Sequence, residues 1–283
     1  MKLKNLAIAL AVIAVPVAAQ NPFASPGEPV VFGQGYTLSS ETLGQARQIN
    51  VLLPSGYDDP ANAAVRYPVL YLLDGGTGWQ DFMHIASMTY QGGLWGGNAP
   101  MIVVGVESKD RRAELTSPSS DSTELKDFPT SGRAEPFRRF LTQELKPAVE
   151  AAYRTNGTDG LIGESLAGLF VVETALRHGG DFDRYIAVSP SLWWSNGQLA
   201  AEAEALLQEQ PPTARTLWLS MADEGGTMQA GMDKLVAALA VTSLPEVTWT
   251  YVPFPSEKHS TIYHPAATQA IRTVFPPPPA PAP

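Results

Sequence analysis

The sequence contains no cysteine among its 283 residues. This absence excludes disulfide bonds, zinc–thiolate sites, a cysteine nucleophile and lipid attachment through an N-terminal cysteine. Positive charge is also scarce, since 19 Lys and Arg residues stand against 28 Asp and Glu and the formal net charge is -9. Nucleic acid and anionic membrane surfaces are therefore disfavoured as partners, because both repel an acidic protein.

Long apolar runs are absent after the N-terminus. There, two lysines precede an apolar run that begins at Leu6 and ends in small residues at Ala19. This pattern predicts a secretory signal peptide over residues 1–19, cleaved after Ala19. A membrane anchor is the alternative, but Pro16 interrupts the run, which is shorter than the roughly 20 residues of a spanning helix. We therefore expect export to the bacterial periplasm or exterior, without a membrane span.

Seven short apolar runs recur along the rest of the chain. Their hydrophobicity is continuous rather than alternating, which predicts strands buried on both faces of a mostly parallel sheet. The runs span residues 49–54, 68–76, 100–107, 159–165, 185–190, 216–224 and 247–254.

Amphipathic segments separate these runs and predict helices. The clearest, residues 135–153, has apolar side chains at helical spacing, and Pro147 is expected to kink or break it near its end. Further helices are predicted over residues 166–178, 198–208, 228–240 and 265–274. Alternating strands and helices predict an α/β fold, a three-layer sandwich forming one domain over residues 20–275.

Two polar or proline-rich stretches fall outside this pattern. The C-terminal residues 276–283, PPPPAPAP, are predicted to be an exposed extended tail. Residues 109–133 form a long polar connection after a strand. Long connections at the carboxyl ends of strands are where α/β proteins bind ligands, so we expect this one to overhang the site.

Residues 160–170, GLIGESLAGLF, set a serine between two apolar runs. Small residues flank Ser165: Gly163, Ala167 and Gly168. A tight turn from a buried strand into a buried helix needs them, because the two backbones approach closely. The pattern predicts a nucleophile elbow, with Ala167 in place of the last glycine of G-x-S-x-G. The alternative is an ordinary turn with a capping serine.

A serine nucleophile needs a base within hydrogen-bond reach, and the chain has four histidines. His84 precedes the elbow, contrary to the order serine, acid, histidine of α/β-hydrolases. His178 lies on the helix that leaves the elbow, too far along it to face Ser165. His259 follows the last predicted strand in a polar loop and is the predicted base, whereas His264 is expected to cap or order the last helix.

The orienting acid is expected at the end of the preceding strand, where Asp223 and Glu224 both lie. A solvated acidic turn is the alternative. Serine, acid and histidine in this order, each after its own apolar strand, favour a catalytic triad.

An oxyanion hole needs two backbone N–H groups. Leu166, directly after the elbow serine, is predicted to supply one. Gly75 and Gly76 end an earlier strand, and Gly76 is the preferred second donor. An ordinary turn between strand and helix is the alternative.

Several of these segments together resemble the esterase D-type family of α/β-hydrolases, which includes periplasmic siderophore esterases of the enterobactin and salmochelin type. The resemblance runs from about residue 36 to residue 275. The segments are RQINVLLPSGYDDP, YPVLYLLDGG, FRRFLTQELKPAVEAAYRT, IGESLAG, SPSLWW, ADEGGTMQAG and FPSEKHST.

The resemblance implies Ser165 as the nucleophile, His259 as the base and Glu224 as the acid. It also places Arg111 on a family loop that bears an arginine. At the elbow, family members usually have His and Gly where this chain has Glu164 and Ala167, so the polarity beside the nucleophile is expected to differ.

The expected function is therefore an exported serine carboxylester hydrolase that acts through an acyl-enzyme on a small-molecule ester. No metal or organic cofactor is needed. A siderophore trilactone is the leading specific substrate. Two alternatives are acyl transfer of the mycolyltransferase type and ligand binding by a member that has lost catalysis.

Substrate contacts are expected from Arg111 and Trp193, although Trp193 and Trp194 could instead pack in the core. Three arginines lie in the long connection and either bind an anion or form surface ion pairs. They are Arg111, Arg112 and Arg133, and the acidic partners considered are Asp110, Glu114 and Asp121.

Overall fold

The computed structural model describes residues 28–209, 212–242 and 244–279. Phe32 and the later described residues form one compact unit. The predicted signal peptide, residues 1–19, lies outside the described residues, as do residues 280–283 of the predicted tail. Residues 276–279 are exposed and have no regular secondary structure.

Within the described ranges, eight strands form a single sheet. They are β1 (Gln34–Ser40), β2 (Gln45–Leu52), β3 (Tyr67–Leu73), β4 (Ile102–Val106), β5 (Thr155–Glu164), β6 (Arg184–Val188), β7 (Arg215–Ala222) and β8 (Val247–Phe254). Their order is β1-β2-β4-β3-β5-β6-β7-β8. Only β2 runs against the other described strands, because it pairs antiparallel with both β1 and β4 and the remaining pairs are parallel. The carboxyl ends of β3 to β8 therefore meet at one edge.

Helices cover both faces of this sheet. They are α1 (Ser87–Leu94), α2 (Arg111–Glu114), α3 (Ser122–Asp127), α4 (Ala134–Phe140), α5 (Lys146–Ala152), α6 (Leu166–Arg177), α7 (Trp194–Glu209), α8 (Gly226–Thr242) and α9 (Tyr263–Val274). No helix in the described part of the chain is both long and apolar enough to cross a membrane.

Two hydrophobic clusters lie on opposite faces of the sheet. Alternate residues of β3 divide between them, with Tyr71 in the cluster that includes α4 to α8 and Leu72 in the cluster that includes α9. This division explains the continuous apolar runs, since both faces of the central strands are covered. The predicted α/β sandwich with a mostly parallel sheet is confirmed.

The two edge strands differ from the prediction. β1 is missing from the predicted runs because most of its residues are exposed and it lacks a continuous apolar stretch. β8 was expected to be buried on both faces, which is wrong. None of its eight residues is fully buried, because it forms the other edge of the sheet.

The predicted break near Pro147 is a widened turn. A π-helical segment, Leu141–Leu145, joins α4 to α5, and the Lys146 N–H donates to the carbonyl of Leu141, five residues earlier. Pro147 then lies in the first turn of α5. Proline is tolerated there because the first N–H groups of a helix have no partner within it.

Candidate active site

Ser165 lies in a sharp turn between β5 and α6, with φ 61° and ψ -118°. Small neighbours are required: a Cβ on Gly163 would lie 2.6 Å from the Ala167 Cβ, and one on Gly168 would lie 2.9 Å from the Val188 carbonyl oxygen. The Ser165 side chain makes no capping hydrogen bond. The capping-serine alternative is therefore wrong, and the hydroxyl is available for another role.

Ser165, His259 and Glu224 come together at the carboxyl edge of the sheet. The Ser165 Oγ is 3.0 Å from the His259 Nε2, and the His259 Nδ1 is 2.8 Å from the Glu224 Oε2. The loop after β8 presents the half-exposed imidazole, while the Glu224 side chain is nearly buried. This unbroken chain of contacts has the geometry that serine, base and orienting acid require.

The neighbouring acid and the other histidines lie elsewhere. Asp223 is exposed, and its backbone N–H donates to the Glu257 carbonyl. His264 was expected to cap or order α9, but its side chain makes no capping hydrogen bond. Its Nδ1 instead lies 2.7 Å from the Nε2 of His84. His178 is near Glu135, with 3.7 Å between the imidazole and the carboxylate.

A shallow pocket of about 380 Å³ opens onto Ser165 and His259. Residues from five parts of the chain line it: Arg111, Arg112, Phe128, Ser165, Leu166, Ser191, Trp193, Glu224, Met228 and His259. The long connection, residues 109–133, therefore contributes to the wall of the pocket, as its length and position predict.

The arginines of this connection do not form the expected pairs. The Arg111 Nε and Nη2 lie 3.0 and 2.9 Å from the Asp74 Oδ2. Arg112 stacks over Phe128, with 4.7 Å from its guanidinium carbon to the ring centroid. Arg133 is exposed and does not line the pocket.

The acidic residues considered as partners are used differently. Glu114 pairs with the buried Arg47. Asp110 and Asp121 accept hydrogen bonds from backbone N–H groups at the starts of α2 and α3. Local capping and a buried ion pair thus replace the surface pairs considered from the sequence.

The two tryptophans have separate environments. Trp193 lines the pocket and its ring lies 6.2 Å from that of Phe128. Trp194 is buried in the core, and its Nε1 donates to the Ser117 carbonyl at 2.9 Å. Only Trp193 is therefore placed to contact a ligand beside Ser165.

The two predicted oxyanion donors are placed differently. Leu166 begins α6 and lines the pocket, and a first-turn N–H has no partner within the helix. The Gly76 N–H instead donates to the Gln80 Oε1 at 2.8 Å, and Gly76 does not line the pocket. Gln80 also bonds both backbone groups of Ser108. This conformation therefore does not support Gly76 as the second donor.

Glu164 belongs to an acidic group behind the elbow. Burial, and after it the negative charges of Asp81, Glu224 and Asp74, raise the pKa of Glu164 to about 7, although the positive charge of Arg111 opposes this shift. Burial, followed by the charge of Asp74, also raises the pKa of Asp81. Glu164, next to Ser165 in the chain, is thus a carboxyl group that titrates near neutral pH.

This shift predicts a pH-dependent stability. A carboxyl group with a raised pKa in the folded state stabilises the fold fully below its ordinary value of 4.5, and this contribution is lost as the pH rises through about 7. The difference in unfolding free energy between Glu164→Gln and wild type should therefore shift in favour of the variant by about 2.5 kcal/mol when the pH is raised from about 5 to about 8.5. Urea unfolding of both proteins at the two pH values measures this difference.

Glu209→Gln, which changes an exposed carboxylate at the end of α7, is the matched control and should follow wild type. Parallel pH dependences of Glu164→Gln and wild type would contradict the prediction.

Sequence reasoning missed three parts of this site. They are three contacts that no sequence motif marks: Arg111 with Asp74, Gly76 with Gln80, and Ser165 with Ser191. A signal for Ser191 does exist, since it lies three residues after the end of β6, at the same edge as Ser165.

The eight-stranded sheet, the sharp serine turn and the helices on both faces define the α/β-hydrolase class. The family model described as "Putative esterase" matches residues 40–259. The chain belongs to this esterase family and is a carboxylic ester hydrolase.

Similar proteins include siderophore esterases. The chain is 25% identical to the ferri-bacillibactin esterase BesA of Bacillus subtilis, over 89% of this chain and 91% of that protein. Among solved structures, it resembles an IroE-like serine hydrolase from Shewanella oneidensis with a TM-score of 0.72 and 26% identity, covering 86% of this chain and 80% of that one. It shares the fold of the BES protein from Bacillus cereus, with a TM-score of 0.76 and 21% identity over 89% and 98% of the two chains.

Proposed function

We propose that this protein is a serine esterase that works through an acyl-enzyme, with Ser165 as nucleophile, His259 as general base and Glu224 as orienting acid. The observation that carries the proposal is the continuous chain of contacts from the Ser165 Oγ through the imidazole to the Glu224 carboxylate. A free serine hydroxyl is a weak nucleophile, and a base at hydrogen-bond distance overcomes this weakness.

In the first half-reaction, the Ser165 Oγ forms a bond to the ester carbonyl carbon while its proton moves to the His259 Nε2. The Glu224 carboxylate stabilises the imidazolium, and the Leu166 N–H donates to the oxyanion. Collapse breaks the bond to the leaving oxygen, which takes the proton from His259. Water then attacks the acyl group and gives a proton to His259. When the bond between the acyl carbon and the Ser165 Oγ breaks, His259 returns that proton to the Oγ and the carboxylic acid leaves.

The acid of the triad is tested by comparing two neighbours. Glu224→Gln should lower kcat by roughly 100-fold or more, because the neutral amide no longer stabilises the imidazolium. Asp223→Asn, the matched control at an exposed position, should stay within about twofold of wild type. Both are measured with a short p-nitrophenyl ester. A larger loss in Asp223→Asn would reverse the assignment.

We further propose a siderophore ester as the substrate class. Relatives named for siderophore hydrolysis support this proposal, as does the composition of the pocket. The pocket lining includes Arg112, Phe128 and Trp193. The two aromatic rings can stack on aromatic groups of a ligand, and the guanidinium can pair with its negative charge, so a ligand with both features fits this pocket. The overall charge of -9 opposes an anionic ligand at long range. Salt screens that repulsion over roughly 8 Å, whereas contacts within the pocket are screened less.

The substrate proposal is tested with a catecholate trilactone, apo and iron-bound, and with a neutral p-nitrophenyl ester. Arg112→Ala should reduce kcat/KM for the trilactone about 10-fold more than for the neutral ester, because it removes the cation that lies over Phe128 at the pocket wall, whereas the charge of Arg111 is already paired with Asp74. Arg133→Ala, at an exposed position outside the pocket, is the control. No hydrolysis of the trilactone by wild type would contradict the siderophore proposal and leave the esterase proposal in place.

The proposed location is the periplasm or the exterior of a bacterium, with residues 1–19 removed as a signal peptide. The lysines and apolar run of the N-terminus support this location. Intact-mass measurement of the protein recovered from cells should show a chain that begins at Gln20. A chain that keeps residues 1–19 would contradict cleavage.

A further inference from the structure

A second hydroxyl group lies against the proposed nucleophile. Ser191 follows β6, is only 2% exposed, and lines the same pocket as Ser165. Its Oγ is 3.3 Å from the Ser165 Oγ, and its backbone N–H donates to the Ser165 carbonyl at 3.0 Å. Among the residues that the structure describes, the Ser191 Oγ has no other hydrogen-bond partner. This buried hydroxyl is therefore paired with the nucleophile alone.

The direction of this hydrogen bond follows from the protons available. A carboxylate only accepts, so the His259 Nδ1 carries a proton and donates to Glu224. When His259 acts as the general base, its Nε2 carries no proton and accepts the single hydroxyl proton of Ser165. The Ser165 Oγ thus faces Ser191 with a lone pair, and Ser191 is the donor.

We propose that Ser191 is a further catalytic residue, a proposal that rests on the function proposed above. The Ser165 Oγ has four tetrahedral directions. One holds Cβ, one the proton shared with His259, and one the lone pair that accepts from Ser191. The remaining lone pair is left for the ester carbonyl carbon, so the Ser191 hydrogen bond fixes the direction of attack.

The same hydrogen bond also favours the charge that develops in the reaction. As the proton moves to His259, negative charge grows on the Ser165 Oγ. The hydrogen bond from the Ser191 hydroxyl to this oxygen becomes stronger, because a charged acceptor binds a donor more strongly than a neutral one. Once the acyl-enzyme forms, the Oγ is an ester oxygen and accepts weakly. The Ser191 proton stays on Ser191 throughout, so the step needs no further reactant.

The test measures the chemical step at Ser165 directly. A p-nitrophenyl phosphonate releases p-nitrophenol when it labels the serine, and its second-order rate is followed for wild type and variants. Ser191→Ala should slow labelling about 10-fold, because it removes one hydrogen bond that strengthens in the transition state. Its KM for a p-nitrophenyl ester should stay near wild type while kcat falls by a similar factor.

Ser220→Ala is the matched control. Ser220 is a fully buried serine on β7, and its Oγ has no hydrogen-bond partner in the described part of the chain. It should label at the wild-type rate. Ser191→Cys, which replaces the hydroxyl with a weaker donor of similar shape, should also slow labelling and serves as the second variant should Ser191→Ala fail to fold.

The outcomes separate the two proposals. If wild type is labelled at Ser165 and folded Ser191→Ala is labelled equally fast, the role of Ser191 is overturned and the esterase mechanism stays intact. If Ser191→Ala does not fold, equally fast labelling of Ser191→Cys has the same meaning. A wild-type protein that is not labelled at Ser165 would overturn the proposed function itself.

Discussion

Ser165→Ala is expected to lower turnover of a short p-nitrophenyl ester by about 1000-fold or more, because the three side chains act as a unit and the nucleophile is lost. The structure provides the reason in the 3.0 Å contact between the Ser165 Oγ and the His259 Nε2. Residual activity should come only from binding and from the backbone donor of Leu166. Initial rates of the purified variant, compared with wild type at equal folded concentration, measure the effect.

The strained backbone of Ser165 does not complicate this test. Alanine keeps the Cβ and adds no bulk, so the turn with φ 61° carries about the same strain in both proteins. Ser220→Ala again controls for loss of a buried hydroxyl. Activity near that of wild type in Ser165→Ala would contradict the assignment of Ser165 as the nucleophile.

His259→Ala should lose activity by a similar factor and, with it, the rise of the rate with increasing pH. A general base works only when it is deprotonated, so the rate climbs as the imidazole loses its proton. His264→Ala is the control, since its ring contacts His84 and not Ser165. It should retain both the rate and the rising limb of the pH profile.

These two variants are compared through kcat/KM measured across the pH range in which each is folded. An inactive His264→Ala together with an active His259→Ala would contradict His259 as the general base and assign that role to His264. Equal, modest losses in both would contradict general-base catalysis by either histidine.

The central strands and the long helices were predictable because each carries a local signal. A strand covered on both faces must be apolar along its whole length, as in β3, and a helix packed on one face repeats its apolar residues every three to four positions. β1 has neither signal, since an exposed edge strand is held by backbone pairing rather than by burial. Its sequence therefore resembles that of a loop.

The contact between Ser165 and His259 was predictable because the elbow needs small residues and the chain has few histidines. The choice between Asp223 and Glu224 could not be made from spacing, because adjacent side chains leave the backbone in different directions and only the fold decides which one faces His259. The family resemblance favoured Glu224, and the structure places Glu224 beside the imidazole.

Contacts that depend on the folded arrangement of the loops explain the remaining differences. Glycine at position 76 suggested a free backbone donor, but the Gln80 side chain accepts from that N–H. The charge of Arg111 suggested a partner in its own loop, but its partner is Asp74, at the end of a different strand. The contact of Arg111 with Asp74 depends on the ends of β3 and β4 meeting at one edge of the sheet. Gln80 lies only four residues from Gly76, but it is also held by hydrogen bonds to Ser108 after β4, so no local pattern encodes either contact.

The assignment of Ser165 as the nucleophile of an acyl-enzyme is tested most directly by mass spectrometry after reaction with an organophosphonate. Wild type should gain one phosphonyl group, located on Ser165 in the peptide that contains residues 160–170, and Ser165→Ala should gain none. An adduct on another residue, or no adduct on folded wild type, would contradict the assignment.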